Sequence, residues 1–358
     1  MINSNIYKLN NDCLILIFLH LPIVDRIRIE RVCKRWQKIS QKSWHNIKKL
    51  DLRNYTWGFA SNAKESALSI IGNLCPNLEI IDVSYLQVPS TGITSIINNC
   101  HNIKKLSLDC IYLFDTDLEK LFKAITRLNN LKHFIISECF DTLEKTTKAI
   151  GKYSTNLETL EIIGKSSILQ FNGISHIITL SNLKNLKVSA NWFICNSTLC
   201  KLSSHCQQLI YLDLSDVPGH FITDHTLAAI EKFTKLEILI TRDLYQVTSN
   251  GLLHLYNLKQ LICQECSFFD ITISKFIQHS SQLKILDLSG CRNITNVTLR
   301  RAVTATNYRT NNIILNLFIG GTAVNLETFK EVSPFLQIYN TDSRYKEIFP
   351  FHPDSILI

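Results

Sequence analysis

Apolar residues recur along the chain in a short pattern, in which a leading apolar residue is followed by apolar residues three and five positions later. The clearest copy begins at Leu283 and continues with Leu286 and Leu288. Alternation of this kind over a few residues predicts a short β-strand with one buried face. Eleven copies occur, and most of their leading residues are 25 to 28 positions apart. The leading positions are Ile47, Leu78, Ile103, Leu131, Leu157, Leu183, Leu209, Leu236, Leu258, Leu283 and, in a weak copy, Asn312.

The segments between these strands carry apolar residues at helical spacing, such as Ile93 with Ile96 and Ile97. A strand, a turn and a helix repeated about every 20 to 29 residues is the signature of a leucine-rich repeat. One unit cannot bury its apolar face alone, so stacking of the units creates the core. We therefore predict an α/β fold, a right-handed leucine-rich-repeat solenoid (horseshoe) with a concave parallel sheet and convex helices.

The repeat pattern begins near residue 46 and ends near residue 332. We predict an N-terminal domain at 1–45, ten to eleven repeats at 46–332 and a C-terminal tail or cap at 333–358. The N-terminal domain lacks the repeat, and its pattern predicts three short helices broken at Pro22 and near Cys33. A piece of about 35 residues is marginal on its own, so we expect it to pack on the first repeat or on a partner.

The N-terminal domain resembles the F-box in the spacing of its apolar residues and in a later Val-Cys-Lys-Arg-Trp run. The matching positions are Leu9, Asp12, Leu14, Ile17, Phe18, Leu21, Asp25, Ile27 and Val32-Cys33-Lys34-Arg35-Trp36. The match departs from the family at Asn10, where F-boxes have proline, and at Asp12, which is shorter than the usual glutamate. Because asparagine is a good helix cap, we expect weakened docking and not its loss.

The resemblance implies that the domain docks on a Skp-type adaptor and, through it, on the cullin scaffold of an SCF ubiquitin ligase. The residues that it implies for adaptor binding are Leu9, Asn10, Leu14, Ile17, Phe18, Val32, Cys33 and Trp36. An alternative stays open for several of them, chiefly Phe18 and Trp36, which can instead form the core of the domain itself. In the ligase interpretation the conjugating enzyme supplies the chemistry, and this chain holds a client protein near it.

The twelve cysteines follow the repeat. Six of them stand either three residues before or eight residues after a leading residue, which indicates small buried side chains in the turns. They are Cys75, Cys100, Cys206, Cys139, Cys266 and Cys291. This arrangement is similar to the cysteine-containing class of leucine-rich repeats, and the similarity covers about residues 47–330.

A zinc site is the alternative interpretation of the cysteines. Its ligands would be Cys263 and Cys266 with Cys195, Cys200 or Cys206. Cys263, however, occupies a core position of a predicted strand, and a second CxxC motif is missing. The sequence also lacks the G-x-S-x-G and H-E-x-x-H motifs. We therefore predict a non-catalytic protein without metal or cofactor.

The net charge of +8 is concentrated near the N-terminus. Between Asp25 and Arg53 there are ten basic and three acidic residues, so this segment carries +7. Nucleic-acid binding is accordingly the weakest of three hypotheses, since the basic residues lie on the docking domain and the predicted concave face lacks basic stripes. The other two are client recruitment for ubiquitination and an F-box scaffold outside any ligase. No export signal or membrane span is expected, which favours the cytoplasm or nucleus and reduced thiols.

Residues two, four and six positions after each leading residue should face away from the core, toward the concave side. In the later repeats these positions carry isoleucines, and a contiguous apolar patch usually marks an interaction surface. The predicted client-binding residues are Tyr211, Ile238, Ile240, Arg242, Ile262, Ile285, Asp287 and Phe318. One alternative is that the segment 333–358 covers the patch, and the client then binds the turns that carry Trp192, Tyr245 and Phe268.

Overall fold

A computed structural model gives the fold, and it describes residues 6–53, 61–86, 90–109, 118–137, 143–163, 174–189, 196–215, 217 and 222–341. The chain forms two compact units, residues 1–157 and 158–358. Each unit alternates strands and helices in chain order, as the apolar pattern predicts. Within the described ranges, no helix is long and apolar enough to cross a membrane.

The first unit opens with three helices and continues as strands that alternate with helices. The helices are α1 (Asn11–Leu19), α2 (Ile23–Ile29), α3 (Lys34–His45), α4 (Ser61–Leu74), α5 (Ser90–Asn99), α6 (Leu118–Ile125) and α7 (Leu143–Tyr153). The strands are β1 (Lys49–Asp51), β2 (Ile80–Asp82), β3 (Lys105–Leu108) and β4 (His133–Ser137). The predicted helix breaks are confirmed, because Pro22 is the N-cap of α2 and Cys33 is the N-cap of α3.

Strands β1 to β4 pair in order and in parallel, and their register aligns one apolar row. Leu50 pairs with Ile81, Ile81 with Leu106, and Leu106 with Phe134. Each of these residues stands three positions after a predicted leading residue, and none is more than 2% exposed. Successive side chains of a strand point to opposite faces, so this row forms the core of the unit and its neighbours face away from that core.

The second unit repeats the same plan. Its helices are α8 (Ile174–Ile177), α9 (Asn196–His205), α10 (Asp224–Ile230), α11 (Ser249–Leu252), α12 (Asp270–His279) and α13 (Asn296–Asn307). Its strands are β5 (Thr159–Ile163), β6 (Asn185–Ser189), β7 (Tyr211–Leu214), β8 (Ile238–Arg242), β9 (Gln260–Gln264), β10 (Ile285–Asp287), β11 (Leu315–Phe318) and β12 (Leu336–Tyr339). All eight strands are parallel to their neighbours in this unit.

The core row of the second unit consists of leucines in register from β5 to β11. They are Leu160, Leu186, Leu212, Leu239, Leu261, Leu286 and Leu317. The weak eleventh copy of the pattern was misplaced, since Leu286 pairs with Leu317 and not with Leu315. Asn312 has a left-handed backbone conformation (φ 57°) and belongs to the turn before the strand. Strand β12 then extends the sheet into the segment that the sequence predicts as a tail.

A buried arginine ties together the last turns of the second unit. Arg309 is 8% exposed. Its guanidinium donates to the carbonyl oxygens of Ser280 (3.1 Å), Leu283 (2.9 Å) and Ile313 (3.0 Å). Burial lowers the pKa of Arg309. One side chain therefore satisfies three backbone carbonyls that have to be paired when they are buried.

The change Arg309→Met should lower the free energy of unfolding by about 2–4 kcal/mol, because three buried carbonyls lose their donor. The measurement is urea unfolding followed by circular dichroism. Arg300→Met is the matched control, since the Arg300 side chain is 60% exposed, and it should change stability by less than about 0.5 kcal/mol. Equal midpoints for the two variants would contradict a structural role for Arg309.

Candidate protein-interaction site

Helix α1 is apolar on two opposite faces. Leu14 and Phe18 lie four residues apart and are buried inside the N-terminal domain. On the other face, Cys13, Leu16 and Ile17 are exposed, Leu16 to 60% and Ile17 to 40%. A helix that is apolar all round is normally buried all round. We call Cys13, Leu16 and Ile17 the exposed α1 face, and its composition suits contact with another protein.

Two residues of the run Val-Cys-Lys-Arg-Trp, Arg35 and Trp36, contact α1 and the residues just before it. Trp36 packs on Phe18 with a distance of 5.2 Å between ring centroids. The guanidinium of Arg35 donates to the carbonyl oxygen of Tyr7 (2.8 Å) and to Oδ1 of Asn11 (3.1 Å). Arg35 therefore fixes the start of α1, a role that the sequence motif by itself does not reveal.

Two of the predicted adaptor residues are helix caps. Oδ1 of Asn10 accepts a hydrogen bond from the backbone N–H of Cys13 at 2.8 Å. The sulfur of Cys33 accepts one from the backbone N–H of Trp36 at 3.4 Å. The first contact explains how asparagine substitutes for the proline of the family pattern, because a side-chain cap satisfies a backbone N–H at the start of the helix.

The eight predicted adaptor residues differ in exposure. Asn10, Ile17 and Val32 are exposed, Leu9, Cys33 and Trp36 are half-buried, and Leu14 and Phe18 are buried. Direct contact of Leu14 and Phe18 with a partner is incompatible with this burial, so the prediction is corrected for these two. Leu16 was missed, although it lies three positions after Cys13 and next to Ile17, on the solvent side of the same helix.

The predicted client patch is not open to water. Ile240 and Ile262 are fully buried, and Ile238, Ile285 and Phe318 are at most 8% exposed. These five residues form one cluster, here called the apolar sheet cluster, and Tyr211 packs against it. The expectation that these isoleucines face solvent is therefore wrong. They do point away from the leucine core row, as predicted, but they form a second buried layer on the other side of the sheet.

Two aspartates on this face of the sheet, Asp213 and Asp287, are also buried and hydrogen-bonded. Asp213 is fully buried and accepts from the hydroxyl of Tyr211 (3.2 Å) and the backbone N–H of Ser215 (2.8 Å). Asp287 is fully buried and accepts from Nε2 of Gln264 at 2.7 Å. A buried carboxylate needs such partners, so Asp287 is corrected from a client-binding residue to a structural residue. Arg242 is half-buried.

Exposed aromatic residues lie in the turns that follow β8 and β9. Tyr245 is 59% exposed and Phe269 is 62% exposed. Phe268, which the sequence placed on the alternative client surface, is buried. Trp192 lies outside the described residues. The turn surface of the second unit therefore offers Tyr245 and Phe269 to a partner, and not Phe268.

The turn cysteines are buried thiols, as predicted for Cys75, Cys100, Cys206, Cys266 and Cys291. The predicted turn residue Cys139, and Cys195 of the alternative zinc site, lie outside the described residues. In the part of the chain that the structure describes, no group of three or more His, Cys, Asp or Glu side chains is placed to hold a metal ion. The sulfur of Cys100 donates to the Cys75 carbonyl oxygen at 3.1 Å, and that of Cys291 to the Cys263 carbonyl oxygen at 3.0 Å. These thiols contact the backbone of the preceding repeat.

Comparison with known proteins bears on both parts of the chain. The F-box domain family matches residues 6–48. The putative RNA-binding protein EEED8.10 of Caenorhabditis elegans is 23% identical over 85% of this chain, and the match covers 53% of that protein, so this chain spans about half of its length. Human F-box/LRR-repeat protein 12 is 25% identical over 64% of this chain and 69% of its own length. The solved structure of an internalin from Listeria monocytogenes covers 83% of this chain and 89% of that chain, at 17% identity and a TM-score of 0.48.

A helical N-terminal domain followed by parallel strand and helix repeats defines a leucine-rich-repeat protein with an added helical domain. Residues 6–48 are an F-box domain. The chain thus combines an F-box with leucine-rich repeats, the combination after which the human relative is named.

Native thiol labelling should separate exposed from buried cysteines. Burial raises the pKa of Cys75 to about 12 and the pKa values of Cys100 and Cys206 to about 11. Because the thiolate is the reactive form, these three should stay unlabelled at pH 8, where they are both protonated and inaccessible. Exposed Cys13 should label readily. The measurement is maleimide labelling at pH 8 with and without urea, read by peptide mass spectrometry, and rapid native labelling of Cys206 would contradict the buried turn.

Proposed function

We propose that this chain is the substrate-recognition subunit of an SCF-type (cullin–RING) ubiquitin ligase complex. In this proposal the F-box docks on a Skp-type adaptor and the leucine-rich repeats hold a client protein. The single observation that carries it is the exposed α1 face. A stable domain with an apolar helix turned to water needs a partner for that helix, and Skp-type adaptors are the partners of F-box domains.

The burial pattern of α1 supports this assignment. Leu14 and Phe18 anchor the helix to its own domain, which holds Leu16 and Ile17 in a fixed position on the outside. Pre-organised apolar side chains bind well, because little conformational entropy is lost on association. Burying one such side chain stabilises a complex by about 1.5–3 kcal/mol.

The proposal assigns no chemical step to the chain. A subunit that holds a client near the conjugating enzyme accelerates transfer by proximity alone. The complex would act in a reducing compartment, the cytoplasm or the nucleus, and the free cysteines of the repeats suit such a compartment.

The client is proposed to bind the second unit at the accessible border of the apolar sheet cluster. Half-buried Tyr211 and Arg242 lie on that border, and the turns beyond β8 and β9 add exposed Tyr245 and Phe269. Aromatic and arginine side chains are enriched among residues that dominate interfaces. The buried residues of the same sheet face then support this surface. They are the five members of the apolar sheet cluster, Ile238, Ile240, Ile262, Ile285 and Phe318, together with Asp287.

Nucleic-acid binding is a second candidate function, and one observation favours it. Lys34, Lys38 and Lys42 are exposed and lie four residues apart along α3. The C. elegans relative is named as an RNA-binding protein, although this chain matches only about half of it. Single-stranded RNA that binds through this row should show strong salt dependence, which Lys38→Glu and Lys42→Glu would remove. Absence of salt-dependent binding in a fluorescence polarisation titration would dismiss this candidate.

Replacing Leu16 and Ile17 together with glutamate should remove the adaptor from the purified complex while leaving the fold intact. Two lost apolar anchors amount to at least about 3 kcal/mol, or about a hundredfold in affinity. The measurement is recovery of a co-expressed Skp-type adaptor and of cullin, with circular dichroism as the test of folding. Ile271→Glu is the matched control, because Ile271 is 64% exposed in the second unit. Adaptor recovery without cullin would favour the scaffold hypothesis, and full recovery of both would overturn the docking site.

The two parts of the proposed client site should respond differently to substitution. Ile262→Ser should lower the free energy of unfolding by about 2–4 kcal/mol, because it leaves a cavity and a buried hydroxyl. Tyr245→Ser with Phe269→Ser should leave stability within about 0.5 kcal/mol and deplete the proteins captured by the adaptor-bound chain. Thermal unfolding and quantitative mass spectrometry of captured proteins provide the two readouts. An unchanged set of captured proteins would place the client elsewhere.

A further inference from the structure

The apolar sheet cluster needs a covering group. Ile240 and Ile262 lie on the sheet face opposite the core leucines Leu239 and Leu261, yet they are completely buried. Side chains on one face of a sheet that contact only their neighbours on the same face keep their outer surface accessible to water. Full burial therefore indicates a further layer over β8 and β9.

Strand β12 covers only one edge of the cluster. The ring of Tyr339 stacks on Phe318 with 4.7 Å between centroids. Strand β9 is three strands away from β12, or roughly 14 Å at about 4.8 Å per strand. The described part of β12 therefore reaches Phe318 and does not reach Ile240 or Ile262.

The chain turns back toward the cluster directly after β12. The carbonyl oxygen of Thr341 accepts from Oγ of Ser289 (3.2 Å) and from the backbone N–H of Gly320 (3.4 Å). Ser289 follows β10 and Gly320 follows β11, so Thr341 lies over the ends of strands that precede β12 in the sheet. At Thr341 the backbone has therefore left the edge of the sheet and lies toward β10 and β11.

Glycine makes this crossing possible. A Cβ atom added at Gly320 would lie 2.9 Å from the Thr341 carbonyl carbon, a separation that real side chains do not tolerate. The neighbouring turns also use glycine in a left-handed conformation, at Gly290 (φ 76°) and Gly321 (φ 71°). The backbone at Thr341 can therefore take this position only because residue 320 has no Cβ atom.

We propose that the segment 342–358 of this chain occupies the apolar sheet cluster and seals it from solvent. The sequence continues for 17 residues after Thr341, and seven of them are large apolar residues. At about 3.3 Å per extended residue the segment can reach roughly 55 Å, several times the width from β11 to β8. Its large apolar residues are Tyr345, Ile348, Phe349, Phe351, Ile356, Leu357 and Ile358.

The chain's own segment is favoured over a second copy because it is tethered at the border of the cluster. A short tether gives an effective concentration in the millimolar range, which a free partner rarely reaches. A client would then meet a surface built partly from the segment, or would have to displace it. The sealing itself is independent of the ligase role proposed above.

Site-specific photo-crosslinking tests the position of the segment. Benzoylphenylalanine replaces Phe351 in the full chain co-expressed with its adaptor, and irradiated material is digested and mapped by mass spectrometry. Crosslinks within one chain to peptides that carry Ile240, Ile262 or Ile285 are expected. The same probe at Tyr308, which is 81% exposed, is the control and should give none of these. Crosslinks only between chains, or only to the helices or to residues 190–195 and 218–221, would overturn the proposal.

A second test removes the seal without changing the cluster. Binding of bis-ANS should rise several-fold in the chain truncated after Thr341 and, to a smaller extent, in Gly320→Ala, where the added Cβ atom displaces Thr341. Ser289→Ala should act in the same direction, and Ser215→Ala is its matched control at the equivalent position of the β7 repeat. A synthetic 342–358 peptide should restore low dye binding to the truncated chain but not alter the full chain. Unchanged dye binding in both the truncation and Gly320→Ala would refute the seal.

Discussion

The parallel register of the leucine row is the constraint on which the second unit depends. Each repeat contributes one leucine to the row, and the strands align so that each leucine pairs with the leucine of the next strand. A shift of one residue in any strand would turn its leucine toward the opposite face. The same register fixes what lies on that face. The isoleucines of the apolar sheet cluster lie next to one another across the strands, because the leucines on the opposite face are aligned across the same strands.

Much of the fold follows from the sequence, because the strand period and the helix period both depend only on residues that are close together in the chain. Strand positions, helix positions and the buried turn cysteines needed only the spacing of apolar residues, which backbone geometry translates directly into faces. The misplaced eleventh copy shows the limit of that reasoning. Asn312 stands three and five positions before the apolar residues Leu315 and Leu317, but its left-handed conformation belongs to a turn, and the spacing alone does not report the sign of φ.

The candidate sites were less predictable, because exposure depends on contacts between distant parts of the chain. The motif gave the correct positions of the helices, but it could not separate Phe18, which packs on Trp36 inside the domain, from Leu16 on the outside. The patch of isoleucines was placed on the correct face. Its burial could not be derived from alternation, since alternation says which way a side chain points and not what lies over it.

The repeats differ in length, but their core residues stay aligned. Leading residues are between 22 and 31 positions apart, yet the strands keep one register within each unit. The additional or missing residues therefore lie between the strands. Evolution can lengthen, shorten or rewrite these connections without moving the side chains that face away from the core. The scaffold in this way separates the part of each repeat that has to stay constant from the part that is free to acquire new contacts.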